Sequence, residues 1–467
     1  MTRIAIIGGG ISGLAAAFEL EQRRNRGADV EYTLYESSPR FGGVLRTEQV
    51  DGCVIEAGPD SFLTEKPWAG DLSRLVGLGD QLIGSNDADR KTYILTSGRL
   101  VELPPGLMFM VPTKILPTGT SPLFSWSTKL RMAQELFHPP RAVDRDESVA
   151  EFVERHYGRE MVDRLADPLL SGVYGGDAAN LSVRAVLPRF AEMERSHGSL
   201  GRAMLAARHK MKNSADPRQP TLPLFTSLKN GMQQLGETVV SKLNPSSLLT
   251  GVTVQAIQRE AGGWLVSAGL QSDQFDGAIV ALPGLAAANV LRMASHDLSA
   301  ELGGIPYTSS ITVGLGYDRE VRKTLPPGFG FLVPRSEGKL LLAATFVHNK
   351  FPHRAPEDRA LLRCFFAGSN AEKVWPLSEN QIVEIVHNEL REIVGVPSKP
   401  SFARVYKWKS AMAQYSVGHL ERLERIERLR KQWPGLALAG NAYRGIGVPD
   451  CVRSGRDAAA EILEAAS

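Results

Sequence analysis

The stretch IAIIGGGISGLAAAFEL, residues 4–20, decides how the rest of the chain is read. Four apolar residues, Ile4, Ala5, Ile6 and Ile7, run into Gly8, Gly9 and Gly10; Gly13 follows, and an Ala/Leu pattern continues to Leu20. The order is buried strand, glycine turn, helix. In the GxGxxG spacing of Gly8, Gly10 and Gly13, the first glycine permits the tight turn, the second lets backbone approach a pyrophosphate, and the third lets helix pack on strand. Ile11 and Ser12, inside the motif, belong to the same anion-binding turn. VEYTLYE (30–36) then reads as a second strand ending at Glu36, an acidic residue placed to bond ribose hydroxyls, with Ser37 beside it. The spacing predicts a βαβ unit that holds a dinucleotide.

Working outward, composition excludes several classes. A chain of 467 residues, 43% hydrophobic, is long enough for two or three domains with their own cores. Its 54 basic and 51 acidic residues leave a net charge of +3, which gives no reason to expect nucleic acid as a partner. Cys53, Cys364 and Cys451 lie far apart without CxxC or metal spacing, so no disulfide framework and no metal are expected, and the compartment reads as reducing. Residues 1–3 lead straight into a strand, so no signal or transit peptide is expected. No apolar run reaches the roughly 18 residues of a spanning helix.

Further along, Pro104, Pro105, Pro112, Pro117 and Pro122 break an apolar stretch containing Leu107, Met108, Phe109, Met110, Ile115, Leu116 and Leu123. Helical patterns follow over 127–137, 148–157 and 159–167. The segment 209–223, with Lys210, Lys212, Pro217 and Pro220, reads as a loose loop. Alternation around Gly262 and Gly263 predicts a β-hairpin within 251–269, and GAIVALPG (277–284) reads as another buried strand. The end of the chain, 436–463, repeats the order strand, glycine loop, helix.

The glycines also discriminate between dinucleotides. RFGG brings Arg40, Gly42 and Gly43 four to seven residues after Glu36, and Gly58, Pro59 and Asp60 follow in GCVIEAGPDSF. Glycine loops this close to the ribose-binding strand suit FAD, whose longer body needs backbone contact at several points. The C-terminal junction, with Gly440, Asn441, Gly445, Gly447, Val448 and Asp450, would set a helix N-terminus where its dipole stabilises a reduced flavin.

With these blocks in hand, the chain resembles the flavin amine oxidase superfamily. SGVYGGDAANLSVRA (171–185), SLKNGMQQL (227–235), GFGFLVP (328–334), FPHRA (351–355) and QYSVGHLERL (414–423) resemble, more narrowly, the oxygen-dependent protoporphyrinogen oxidases, over most of the chain. The resemblance implies an oxidoreductase of heme biosynthesis that removes hydride equivalents from protoporphyrinogen IX and passes them to O₂, releasing hydrogen peroxide. Coproporphyrinogen III is the close alternative. YKWKSAMAQY (406–415) has Trp408 and no cysteine, so FAD is expected to be noncovalent; Val254 and Trp408 complete the expected cofactor set. Leu332 and Phe366 match ring-lining positions, Gly172 and Gly176 match glycines on the flavin-facing side, and Thr345 stands where relatives often carry an aliphatic residue. The position matching the family's propionate-binding arginine is Thr92, preceded by Arg90 and Lys91, either of which could reach the carboxylate or remain a solvated loop charge. No catalytic base is assigned, and His197, His348, His353 and His419 read as structural or surface residues.

The implied fold is α/β: a Rossmann-type FAD-binding domain (1–75, 227–285, 412–467), an antiparallel-sheet substrate domain (76–100, 200–226, 286–411) and a helical membrane-contacting insertion (101–199). Leu107, Met108, Phe109, Met110 and Leu123 are expected to dip into one leaflet at the inner face of the cell membrane, with the enzyme otherwise cytoplasmic; the alternative is a helical cap over the active site. Residues 419–433 read as an amphipathic surface helix. A second copy of the chain and ferrochelatase enter as candidate partners. An amine oxidase or carotenoid desaturase chemistry, and a flavin-free prenylated-GTPase chaperone, are the competing readings; the middle blocks oppose the first two and the intact glycine blocks oppose the third.

Overall fold

The computed structural model describes residues 1–466 apart from 109, 113–114, 141–144 and 215–221. The chain forms two compact units: Met1–Ser85 with Pro223–Tyr307 and Leu420–Ser467, and Asn86–Leu222 with Thr308–His419.

The first unit is built on a five-stranded parallel sheet in the order Leu248–Thr250, Val30–Glu36, Thr2–Ile7, Gly277–Val280, Leu436–Leu438. Ile6 stands between Leu34 and Ile279 in register. Ile4, Ala5, Ile6 and Ile7 are all buried, as a parallel strand covered on both faces requires. One face carries the helices Ile11–Asn25 and Val448–Ala466. They meet so closely that a Cβ on Gly455 would lie 2.0 Å from the Ser12 carbonyl oxygen. The other face packs on an antiparallel meander, Val254–Glu260, Gly263–Ala268 and Gln271–Phe275. The first two strands form the hairpin expected at Gly262 and Gly263. The third, QSDQF, has no apolar alternation to announce it.

The second unit centres on a seven-stranded sheet in the order Phe402–Ala413, Tyr307–Asp318, Arg359–Ala367, Ala343–Phe346, Gly330–Leu332, Thr92–Thr96, Arg99–Glu102. Against one face lies the helix Glu379–Val394, started by a Ser378/Gln381 capping box and burying Ile382, Val386 and Leu390. The same unit holds Trp126–Gln134, Val149–Tyr157, Asp167–Tyr174, Pro188–His197 and Leu200–Ser214.

Two expectations change. The helical segment 101–199 is not a separate unit but shares one with the antiparallel sheet, because helix Asp167–Tyr174 packs on that sheet; the boundaries expected at 75, 285 and 411 fall at 85, 307 and 419. The expected loop at 209–223 begins as helix, with Lys210 and Lys212 inside Leu200–Ser214, while Pro217 and Pro220 lie outside the described residues. The amphipathic helix expected at 419–433 forms as His419–Arg430 and lays Leu423 and Ile426 of its apolar stripe into the core.

Candidate functional site

In the first unit the glycine turn is built to exclude side chains. Gly8 has φ +105°, and a Cβ there would sit 2.5 Å from the Ala281 carbonyl oxygen; a Cβ on Gly13 would sit 1.8 Å from that of Gly8. Gly10 differs: its missing Cβ would meet no atom within 4 Å. The space a side chain would fill is left open at the head of a helix whose first N–H groups have no side-chain cap, which suits a pyrophosphate. Glu36 accepts the Gly9 N–H at 2.7 Å on one oxygen and the Ser38 N–H at 2.8 Å on the other, with the Ser37 hydroxyl at 3.5 Å. The oxygen that accepts from Gly9 keeps a lone pair for a ribose hydroxyl.

Arg40 shapes the next loop. Its guanidinium donates to the carbonyls of Phe41 (3.1 Å), Leu45 (3.1 Å) and Gly43 (2.5 Å). The Gly42 N–H donates to the Gly9 carbonyl at 2.8 Å, zipping the RFGG loop onto the glycine turn. Gly58 is needed for a similar reason, since a Cβ there would lie 1.9 Å from the Val44 carbonyl oxygen. Beside it, the Asp60 carbonyl accepts the Ser227 hydroxyl at 2.6 Å. The Gly251 and Val252 N–H groups donate to Ser38 and Glu36 carbonyls at 2.9 and 3.0 Å, which brings the Val254 strand to the ribose end.

Sequence reasoning missed the side chains that lock these loops. Glu56 accepts the Thr47 hydroxyl and the Met232 N–H, both at 2.7 Å, and Gln233 exchanges bonds of 2.9 and 3.1 Å with Thr47. A groove lined by Ser38, Pro39, Arg40, Arg46, Thr47, Glu48 and Gln233 opens there. At the C-terminal junction, the Gly440 N–H donates to the Ser454 hydroxyl at 3.1 Å, and Asn441 accepts the Tyr307 hydroxyl at 3.2 Å. Asp450, buried at the start of the last helix, is held 2.7 Å from the Lys66 ammonium, and Gly445 is required because a Cβ there would strike it. Gly447 closes the first turn of that helix through the Cys451 N–H. Burial pushes the Cys451 thiol up to about 12, so it is inert; all three cysteines are buried and none is in a disulfide.

In the second unit, register gathers several of the residues expected on the substrate side. Thr92 pairs with Gly330, Gly330 with Thr345, Leu332 with Ala343, Ala343 with Phe365, and Thr345 with Arg363. Paired residues share a face, so Thr92, Leu332, Thr345, Arg363 and Phe365 point to one side across four adjacent strands. Phe366 does not. It points to the opposite side, fully buried with Ile311, Cys364 and Ile382, so it does not share a face with Leu332 as the ring-lining expectation required. Phe365 is partly open, with the Arg363 guanidinium 4.1 Å over its ring.

Helix Asp167–Tyr174 covers the Leu332 side, and a Cβ on Gly172 would be 3.8 Å from Leu332 Cδ2. At Gly176 a Cβ would lie 1.9 Å from Gln414 Oε1, and the Gln414 amide donates to the Tyr174 carbonyl (2.6 Å) and the Thr308 hydroxyl (3.0 Å). Arg335 ties the turn to the strand after Leu332 through Asp167 (3.0 Å) and Asp177 (2.9 Å). Arg90 and Lys91 are half-exposed, 3.7 Å from Asp87 and 3.4 Å from Glu102 respectively. Trp408 is half-buried on the Phe402–Ala413 strand, in this second unit rather than with the glycine turns. His348 and His419 are buried, the latter stacked on Tyr415, whereas His197 and His353 are exposed.

The apolar surface expected at 107–123 is also corrected. Met110 and Leu123 are fully buried, Leu107 pairs with Pro112 in a two-residue ladder, and Phe109 lies outside the described residues. The exposed apolar side chains of this region are Leu116, Trp126, Leu130 and Phe137, the last 82% exposed. Among the described residues, no helix is long and apolar enough to cross a membrane.

Comparison with known proteins shows the family. Residues 11–463 match the family described as flavin containing amine oxidoreductase. The chain is 34% identical to coproporphyrinogen III oxidase of Bacillus subtilis, covering 98% of this chain and 97% of that one. It is 30% identical to chloroplastic protoporphyrinogen oxidase 1 of Arabidopsis thaliana, over 99% and 88%. A crystal structure from Exiguobacterium sp. 255-15, provisionally named a protoporphyrinogen oxidase, superimposes with a TM-score of 0.87 at 30% identity, covering 99% of both chains.

Proposed function

The chain belongs to the flavin containing amine oxidoreductases, whose cofactor is FAD, and from that premise we propose that it is a porphyrinogen oxidase of heme biosynthesis that takes coproporphyrinogen III and returns the electrons to O₂. The observation that carries the reading is the full-length similarity to the Bacillus subtilis coproporphyrinogen III oxidase. FAD, when bound, supplies the hydride acceptor. The chain's own residues do the rest. Gly10 and the uncapped helix behind it receive the pyrophosphate, and Glu36 the ribose. The sheet face carrying Leu332, Thr345 and Phe365 offers a flat apolar surface to a tetrapyrrole. Arg363 on that face, with Arg90 and Lys91 at its Thr92 edge, supplies positive charge suited to a polycarboxylate. Placement of a methylene bridge accounts for much of the rate in such a site, and no general base is required of the chain.

Protoporphyrinogen IX is the second reading, favoured by the similarity to the Arabidopsis enzyme. The test is the appearance of porphyrin fluorescence in air when the purified flavoprotein is mixed with either porphyrinogen, autoxidation subtracted. Coproporphyrinogen III is expected to turn over with at least a tenfold higher kcat/KM. A reversed ratio selects protoporphyrinogen IX, and no enhancement with either defeats the porphyrinogen reading itself.

A further inference from the structure

Away from the cofactor turn and the Leu332 face, the helical part of the second unit contains a polar cluster that neither uses. His156, on helix Val149–Tyr157, has a fully buried imidazole between two carboxylates: Nδ1 is 3.1 Å from Glu135 and Nε2 is 3.3 Å from Glu194. His138 stacks on it, ring centroids 4.3 Å apart, and its Nδ1 is 3.0 Å from the Pro139 carbonyl. One ligand atom from each of His138, His156 and Glu194 lies within 4.8 Å of the others.

In both rings an acceptor faces Nδ1, which leaves Nε2 for a further partner. A carbonyl only accepts, so His138 Nδ1 carries its proton and Nε2 keeps a lone pair. Glu135 accepts from Ser199, Leu200 and Gly201, which marks it as ionised, so Nδ1 of His156 is also the donor. A carboxylate and a carbonyl behind two imidazoles are the outer partners that fix ligating histidines. What then faces Glu194 from His156 Nε2 is either a proton or a metal. The 3.3 Å separation suits two corners of a tetrahedron whose centre is about 2.0–2.1 Å from each.

Charge points the same way. Two carboxylates, Glu135 and Glu194, face the buried His156 directly, and Arg155 bonds Glu194 and lies 2.5 Å from Glu147. Arg155 also reaches the second Glu194 oxygen at 3.3 Å, so it can stay there as an outer donor while the first oxygen turns to a cation.

We propose that His138, His156 and Glu194 bind one divalent transition-metal ion, of zinc-like coordination chemistry, that staples the segments around residues 135–138, 149–157 and 188–197 of the second unit. On binding, the proton bridging His156 Nε2 and Glu194 leaves to solvent, and the half-exposed His138 closes onto the ion. The three ligands come from positions 138, 156 and 194, so no local spacing announced them.

The test uses the full-length, flavin-loaded protein, stripped with chelator and titrated with Zn²⁺ and Co²⁺. One equivalent of zinc is expected to survive dialysis, and one equivalent of Co²⁺ to give the intense visible bands of four-coordinate cobalt. His138→Gln, a half-exposed position whose own bond is local, is expected to lower affinity at least tenfold and remove those bands. His197→Gln, at an exposed histidine, is expected to change neither. Absence of stoichiometric binding to the native chain, or equal binding by His138→Gln, overturns the site and leaves a hydrogen-bonded ion network.

Discussion

The glycine turn of the first unit and the Leu332 face of the second are built by opposite means. In the turn, recognition falls to backbone: Gly8 and Gly13 remove side chains so that chain segments can touch, and Gly10 leaves a space. On the face, the proposed recognition falls to side chains brought together by strand pairing, with Leu332, Thr345 and Phe365 drawn from three strands. A site made of missing side chains is intolerant of any addition. One made of a sheet face is sensitive to which side of the strand a residue occupies, and a slip of one position exchanges site for core.

Glycine substitutions should give the largest effects and test the first half of this contrast. In Gly13→Ala the new methyl carbon would sit 1.8 Å from a backbone oxygen that cannot move without unseating the first strand. The expected cost exceeds about 4 kcal/mol, in the range of disrupted cores, with no flavin retained. Gly10→Ala meets nothing and should melt near the native temperature as apoprotein, yet bind FAD at least tenfold more weakly. Melting curves by circular dichroism, read beside flavin absorbance, separate the two. Full FAD affinity in Gly10→Ala would mean that the open space belongs to something other than the pyrophosphate.

The adjacent phenylalanines sharpen the second half. Phe366→Ala empties a fully buried position beside Ile382 and Val386 and should cost about 3–5 kcal/mol, while leaving KM of the folded enzyme little changed. Phe365→Ala removes a partly open ring that shares the face of Leu332 and should raise KM several-fold with a smaller loss of stability. Urea midpoints and initial rates on the two variants decide it; the opposite pattern would restore Phe366 to the pocket.

This contrast also explains what could be read from sequence. The order strand, glycine turn, helix is local, and the physical demand on each glycine is the same wherever it occurs, so Gly8, Gly13 and Glu36 were legible. Gly42, Gly43 and Gly58 were legible as glycines; that Arg40 would serve the loop carbonyls was not, since that depends on how the loop closes. Lys66 and Asp450 lie 384 positions apart, and nothing local pairs them. RCFFAGS offered two aromatic residues in succession, and only pairing with Ala343 and Ile311 shows which faces where. Met110 and Leu123 read as exposed because the resemblance implies a membrane-contacting insertion there, and a proline-broken apolar stretch carries no periodicity that shows which of its residues are buried.

Acid should separate the two units by a smaller margin, through a histidine. Of nine histidines in the chain, only His296 belongs to the first unit, and it is exposed. In the second unit His348 is buried next to the strand that carries Thr345, with the Leu361 N–H 3.2 Å from its Nδ1. Burial holds its pKa down to about 4, the nearby Arg322 adding to the depression and the Leu361 backbone opposing it. A depressed histidine is neutral in the folded state while the unfolded chain takes up a proton near 6.5, so its contribution is intact above that pH and is lost as pH falls from about 6.5 towards 4. At about 1.4 kcal/mol per unit the loss amounts to about 2–3 kcal/mol. His348→Gln, neutral throughout, should flatten the fall in urea midpoint between pH 7 and 4.5, whatever stability it loses at pH 7. An unchanged slope would place the acid sensitivity of this unit elsewhere and remove His348 from the contrast between the two halves.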